Sequence, residues 1–268
     1  MGLSLRGRVY KFVKAVTSDW NGLKSVAAQA RRRPCALIPP RMRADVVAVI
    51  PAYQCAATIG AVAGGVRQHL ERVVVVDDGS ADATAAQAEA AGAEVSRLPE
   101  NRGKGAALLH GIAVALAGDP AAVLLLDGDG QHDPADVPAF LAAWDRGDAD
   151  LVIGSRMAEG ESESIPRARY WTNRIGSRIL SWMTGWDIED SQSGYRLLAA
   201  DLLRRLPMAA RGYAVESEML IKAANRRARL AQVPIRVIYE GNTSHYRPVL
   251  DTARIALWSI YFKAFDDV

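Results

Sequence analysis

The chain has 268 residues, half of them apolar, and a formal net charge of +3. That length is enough to bury one full α/β core. Its two cysteines, Cys35 and Cys55, exclude a disulfide framework and lack the CxxC spacing of a zinc site, so a reducing compartment is expected.

The charge is unevenly distributed. Residues 1–45 carry ten Lys/Arg against two Asp/Glu, a balance of +8, and the remainder carries 23 against 28, a balance of −5. A basic arm on an acidic body suits a polyanionic surface, nucleic acid or anionic lipid. Within 3–30, Leu5, Val9, Phe12, Val13, Val16, Trp20 and Leu23 recur at roughly helical spacing among Arg6, Arg8, Lys11, Lys14 and Lys24. This pattern predicts an interfacial amphipathic helix, or else a helix packed on the body with a solvated basic face. Arg31-Arg32-Arg33-Pro34 and Pro39-Pro40 then break it as a linker. No leader-like apolar block is visible, and no apolar run approaches the ~20 residues that span a bilayer. The expectation is a cytoplasmic chain, soluble or peripherally attached to a membrane.

From Asp45 onward, short β-branched runs alternate with helical stretches. Residues 46–50, 73–77, 123–127 and 151–153 are nearly all apolar, as buried parallel strands should be. Ala- and Leu-rich stretches at about 57–69, 82–91, 104–116 and 135–144 fit crossover helices. Such alternation predicts a doubly wound, Rossmann-like sheet with ligands at the carboxyl ends of its strands.

Two of those ends are acidic: Asp77-Asp78-Gly79-Ser80, and Asp127-Gly128-Asp129-Gly130-Gln131-His132. A dinucleotide site would instead place a glycine-rich loop after the first strand, because phosphate needs backbone N–H donors; here that strand ends in Pro51-Ala52-Tyr53. A bridging metal is then the other way to hold phosphate. Aspartates with an amide oxygen form a hard donor set suited to Mg²⁺ or Mn²⁺.

Taken in order, Val49-Ile50-Pro51-Ala52-Tyr53, Val76-Asp77-Asp78-Gly79-Ser80, Asn101-Arg102-Gly103-Lys104-Gly105 and Asp127-Gly128-Asp129-Gly130-Gln131-His132 resemble the family-2 glycosyltransferases of GT-A fold. Within them the chain looks most similar to the dolichol-phosphate mannose and polyprenyl-phosphate glucose synthase group. Gly154-Ser155-Arg156, the run from Asp190 to Arg196, and Glu216-Ser217-Glu218-Met219 extend the match, which covers about residues 45–248. The resemblance implies a mostly parallel GT-A sheet flanked by helices. It also implies a nucleotide-sugar donor of GDP-mannose or UDP-glucose type. Pro51, Ala52 and Tyr53 would line the base pocket, Asp78 would meet base or ribose, and Lys104 would reach ribose or phosphates. Asp127, Gly128 and Asp129 would meet the donor, with Asp127, Asp129 and Gln131 holding the metal that neutralises the leaving diphosphate.

On the acceptor side, 159–164 reads as a polar, acidic loop. Segment 166–183 then interleaves Arg167, Arg169, Arg174 and Arg178 with Trp171, Ile175, Ile179 and Trp182. In the resembled group this region is an interfacial helix. The match implies that Arg156 and Arg169 grip an anionic acceptor, a lipid phosphate, with Asn173 beside it. Asp190 would orient a phosphate acceptor, or act as base for a hydroxyl one. The sequence departs from the group's pattern at Asn173, where a serine is usual, at Ser244-His245-Tyr246 in place of a serine–lysine pair, and at Gln54-Cys55 in place of Asn-Glu. His245 would contact the diphosphate or neighbour the metal. Stretch 250–265 is apolar and aromatic, suited to docking on the N-terminal helix or to a lipid interface.

The expected organisation is a basic arm and linker (1–44), a transferase domain (45–248) and a C-terminal amphipathic helix (249–268). The expected activity is metal-dependent, inverting sugar transfer to a polyprenyl phosphate at an anionic membrane surface, with no nucleic-acid partner. Transfer to a saccharide or lipid hydroxyl is the alternative. A nucleotidyltransferase would need a basic glycine-rich loop that 51–58 lacks, and a membrane-binding adaptor would not need acidic strand ends.

Overall fold

The computed structural model describes residues 42–157, 167–208, 214–236 and 238, with the backbone alone at 167–169 and 214. The expected features at 1–41, in the 159–164 loop, at His245 and in the C-terminal stretch therefore lie outside the described residues. The elements run β1 (Arg43–Ala52), α1 (Ile59–Arg67), β2 (Leu70–Asp77), α2 (Thr84–Ala90), β3 (Glu94–Arg97), α3 (Lys104–Leu116), β4 (Ala122–Leu125) and, after a 3-10 turn at Pro134–Asp136, α4 (Val137–Asp145). They continue as β5 (Leu151–Ser155), α5 (Arg167–Thr184), β6 (Arg196–Ala199), α6 (Ala200–Arg204), α7 (Ala214–Asn225) and β7 (Leu230–Pro234).

Among the described residues these strands form one seven-stranded sheet, ordered β3-β2-β1-β4-β6-β5-β7. The β3-β2-β1-β4 half is parallel, as the apolar runs predict for β1, β2 and β4. Alternate residues feed two apolar layers. Val47, Val49, Val74, Val76, Val123, Leu125 and Ile153 face α3, α5 and α7, which contribute Leu108, Ile112, Leu180 and Met219. Val46, Ala48, Ile50, Val73, Val75, Leu124 and Val152 face α1 and α4, with Ile59, Val66 and Phe140. Burial on both faces is why these strands lack the apolar–polar alternation of a half-exposed sheet.

The apolar runs in the sequence do not mark β3, β6 or β7. The important one is β6, which pairs antiparallel with both β4 and β5. A strand that enters the sheet in the reverse sense starts where its neighbours end. Leu125 is paired with Arg196, so residues 190–195 arrive at the carboxyl edge beside the turn that follows β4. The sheet is therefore mixed but mostly parallel, as expected of a GT-A sheet, with β6 as its reversed strand.

Helix α3 lies unusually close to the sheet because Gly111 faces it. A Cβ built there would sit 2.4 Å from Val49 Cγ1 and 2.9 Å from Val76 Cγ2. Replacing a mid-helix glycine with alanine ordinarily stabilises by roughly 0.5–1 kcal/mol. Here the sign should reverse, because overpacking typically costs about 1–3 kcal/mol. Gly111→Ala is expected to lower the urea midpoint, and adding Val49→Ala should recover part of the loss.

Candidate active site

The carboxyl ends of β1, β2 and β4 open into a cleft of about 280 Å³. Pro51, Ala52 and Tyr53 form one wall and Asp78, Gly103 and Lys104 another. Asp127, Gly128, Asp129, Gln131 and Arg156 also line it, so every described residue assigned to the donor or the metal from sequence meets in one place. Cys55, Asn101, His132 and Gly194 line the cleft as well. Those four stand inside the motifs quoted above or directly beside them, but nothing in the sequence alone gave them separate roles.

Each wall has a local cause. Asp78 is 2% exposed and spends its carboxylate on the chain itself: Oδ1 accepts from the Arg102 amide and Oδ2 from the Gly103 amide, both at 2.8 Å. Those bonds pin the loop that launches α3, so Asp78 reaches the cleft wall as the anchor of Lys104's helix. At the end of β4, Asp129 Oδ1 accepts from the Gln131 amide at 2.9 Å, closing the acidic turn. The Thr58 hydroxyl donates to the Gly128 carbonyl at 2.7 Å and ties that turn to the start of α1. Gly194 is seated so close to Asp127 that a Cβ would lie 2.8 Å from Oδ2.

Charge inside the cleft is paired. Lys104 Nζ lies 2.8 Å from Asp127 Oδ1, 3.0 Å from Oδ2 and 2.9 Å from Glu216 Oε1. Burial disfavours the ammonium, but the two carboxylates outweigh it and hold Lys104 above the usual lysine range. Asp127 likewise stays ionised against burial, chiefly through Lys104. Burial keeps His132 neutral, its pKa pulled down to about 4, and the ring packs 5.2 Å from that of Tyr195.

Arg156 and Asp190, separated by 34 positions, form a buried bidentate pair. Nε meets Oδ2 at 2.6 Å and Nη2 meets Oδ1 at 2.8 Å, while the Arg156 amide also donates to Oδ2. Asp190 is wholly buried and does not line the cleft; Arg156, 6% exposed, does. Asn173 sits behind the pair rather than in the cleft. It is 2% exposed and donates to Asp190 Oδ1 at 2.7 Å, while the Ser177 hydroxyl donates to its Oδ1. Arg196, also buried, donates to the carbonyls of Ser191, Ser193 and Glu216, fixing the 190–195 loop in place. The Arg169 side chain lies outside the described residues. The exposed face of α5 carries Trp171, Ile175 and Trp182 together with Arg174 and Arg178.

The donor chemistry on the cleft wall fits a hard divalent cation: two carboxylates, Asp127 and Asp129, beside the amide of Gln131. Among the described residues, no three His, Cys, Asp or Glu side chains gather as a metal cage. An incomplete protein shell suits Mg²⁺-like ions, which are held by one or two carboxylates plus phosphate and water.

Comparison with known proteins defines the class. Residues 47–206 match the family described as glycosyl transferase family 2, so the chain belongs to that family and is a glycosyltransferase of GT-A fold. It is 31% identical to the undecaprenyl-phosphate mannosyltransferase of Micrococcus luteus over 71% of this chain and 82% of the relative. Identity is also 31% with the polyprenol monophosphomannose synthase of Mycolicibacterium smegmatis, over 75% of this chain and 79% of that one. Among solved structures it resembles the glucosyl-3-phosphoglycerate synthase of Mycobacterium tuberculosis in complex with Mn²⁺, uridine diphosphate and glucosyl-3-phosphoglycerate. That match has a TM-score of 0.62 at 26% identity, covering 81% of this chain and 77% of that one.

The Arg156–Asp190 pair makes a stability prediction. Burial opposes the Asp190 charge, yet Arg156 and Asn173 hold it so firmly that its pKa falls from 3.8 to about 2. A depressed folded-state pKa means the stabilisation is complete above about pH 4 and is lost as pH falls through about 2. Each tenfold drop in proton affinity is worth roughly 1.4 kcal/mol, so the stabilisation is on the order of 2–3 kcal/mol. Asp190→Ala should cost more, about 3–5 kcal/mol at neutral pH, because it strands a buried guanidinium. Urea titrations should show the gap between wild type and Asp190→Asn narrowing as pH drops from about 4 to about 2.

Proposed function

We propose that the protein transfers a hexose, with inversion, from a nucleotide diphosphate sugar of the GDP-mannose or UDP-glucose type to a polyprenyl phosphate or a related lipid phosphate at a membrane surface. The observation that carries this reading is the meeting, in one cleft, of an acidic turn (Asp127 to Gln131) with an arginine held rigid from behind. The names of the two mannosyl-transferring relatives support the lipid-phosphate acceptor, and the Mn²⁺ and uridine diphosphate of the structural neighbour support a metal and a nucleotide sugar.

In this reading Pro51, Ala52 and Tyr53 seat the base, and Asp78 acts by fixing the 101–103 loop. Asp127, Asp129 and Gln131 would hold Mg²⁺ or Mn²⁺, which when bound supplies charge neutralisation for the departing diphosphate. Lys104 adds a fixed positive charge to the same wall. Arg156 binds the acceptor phosphate. Asp190 and Asn173 hold Arg156's guanidinium in orientation, so they are positioning residues. A phosphate acceptor is already a nucleophile and needs no base. That suits the geometry, since a wholly buried carboxylate with a pKa near 2 is poorly equipped to accept a proton from a hydroxyl. The exposed Trp171, Ile175 and Trp182 with Arg174 and Arg178 on α5 suit an anionic lipid interface, which would keep the enzyme on the cytoplasmic face without a spanning segment. No described helix is long and apolar enough to cross a membrane.

The test is a donor and acceptor matrix: GDP-mannose and UDP-glucose, each with polyprenyl phosphate, phosphoglyceric acid or a neutral saccharide, with and without Mn²⁺. Transfer to polyprenyl phosphate that requires Mn²⁺ is the expected result, and transfer only to an uncharged saccharide would overturn the acceptor assignment. Asp129→Asn should abolish that transfer while leaving the thermal midpoint close to wild type. Arg156→Ala should slow transfer by about 100-fold or more, as loss of a preorganised charge contact typically does.

Membrane attachment is tested separately. Sedimentation with vesicles rich in anionic lipid should weaken as salt rises, because attraction between basic residues and lipid is screened within about 10 Å at 0.1 M ionic strength. Trp171→Ser with Trp182→Ser should weaken it further, and salt-independent binding that ignores both changes would count against an interfacial role.

A further inference from the structure

One charged group behind the cleft wall, in contact with Lys104, is unused by the reaction outlined above. Glu216, at the start of α7, is 6% exposed. Its Oε1 meets Lys104 at 2.9 Å, while Oε2 is buried without a hydrogen-bond partner among the described residues. Beside it lies a small void of about 10 Å³, lined by Lys104, Asp127, Glu216, Arg196 and Met219. A void of that size admits about one water molecule or a small displacement of a side-chain end.

The geometry of Lys104 sets up a conflict. Its ammonium lies within 3.0 Å of both oxygens of Asp127, one of the two carboxylates on which the proposed metal depends. A divalent ion binds a carboxylate oxygen at about 2.0–2.2 Å, so it would share that carboxylate with an ammonium already seated on it. Two cations on one half-buried anion repel each other. For the ion to settle, Lys104 must give up at least one Asp127 oxygen without leaving the wall. The orphaned Glu216 oxygen and the small void bordered by both Lys104 and Glu216 offer somewhere to go.

We propose that Lys104 is a resident cation that competes with the metal for Asp127, and that Glu216 is the positioning residue that receives it when metal and nucleotide enter together. This rests on the metal-dependent reading above and adds a rule of binding: metal alone meets a filled site. A diphosphate arriving with the metal gives the displaced ammonium a second anion to face, so each should tighten binding of the other. Glu216 keeps Lys104 close during the exchange.

The test measures Mn²⁺ binding to the full chain without any sugar donor, from the loss of the free-ion electron paramagnetic resonance signal, with and without uridine diphosphate. Wild type should bind Mn²⁺ weakly alone and at least about tenfold more tightly with the nucleotide. Lys104→Met should bind Mn²⁺ alone about tenfold more tightly than wild type and lose much of the nucleotide-induced gain. Glu216→Gln should do the opposite, weakening Mn²⁺ binding about tenfold, because without the Glu216 carboxylate the ammonium is held more firmly on Asp127. If Lys104→Met does not fold by circular dichroism, the Glu216→Gln result decides. Wild-type binding that requires the nucleotide, with Lys104→Met no tighter and Glu216→Gln no weaker, would overturn the competition while leaving metal use intact. No Mn²⁺ binding by wild type even with uridine diphosphate would overturn the metal reading and this inference with it.

Discussion

Strand β6 runs against both of its neighbours, and most of the cleft depends on that reversal. Had it entered parallel, residues 190–195 would lie at the opposite edge of the sheet, a strand's length from the acidic turn. Entering antiparallel, it delivers Asp190 behind Arg156 and Gly194 against Asp127. Arg196, the first residue of the strand, then locks the approach by donating to three carbonyls from inside the core. A buried guanidinium is costly unless its donors are satisfied. Here the carbonyls, and the acidic groups nearby, keep it charged although burial pulls its pKa down to about 10.

The electrostatic design follows from how little water reaches the site. Asp190, Glu216 and Arg156 are all nearly buried, and each has a charged partner close by. Pairing of this kind is weak evidence for stability, since a matched apolar pair is often as stable. It is better understood as orientation. Arg156 is held at Nε, at Nη2 and through its backbone amide by one carboxylate, which fixes the guanidinium plane beside the cleft. Asn173 and Ser177 extend that support into α5.

Strands β1, β2 and β4 of the parallel half were legible because they are buried on both faces and read as unbroken apolar runs, such as Val73 to Val76. Helix α3 begins at Lys104 and ends at Leu116, as its composition predicts. The missed strands had no such signal. Glu94–Arg97 is a partly exposed edge strand and Leu230–Pro234 is only partly buried, so neither forms an apolar run. Arg196–Ala199 opens with an arginine whose burial depends on carbonyls brought in from elsewhere in the fold. The cleft residues were legible as ordered motifs at strand ends. Their pairings were not, because Arg156 with Asp190, and Lys104 with Glu216, join positions far apart in the chain. Asp78 shows the same limit: a carboxylate in a motif looks like a ligand contact, whereas here both oxygens hold backbone amides.

The seating of Gly194 against Asp127 bears on how such enzymes diversify. The residues proposed to meet base and diphosphate come from β1, β2, α3 and the turn after β4. Arg156 and its supports come from the chain between Gly154 and Arg196. Along the line where these two portions meet, a Cβ at position 194 would press to 2.8 Å on Asp127 Oδ2. On the proposed assignment, exchanging the later portion by recombination within 130–150 would change acceptor preference and keep the donor. An incoming piece with a larger residue at that point would have to displace the Asp127 carboxylate, so a glycine there keeps the acidic turn undisturbed across the joint.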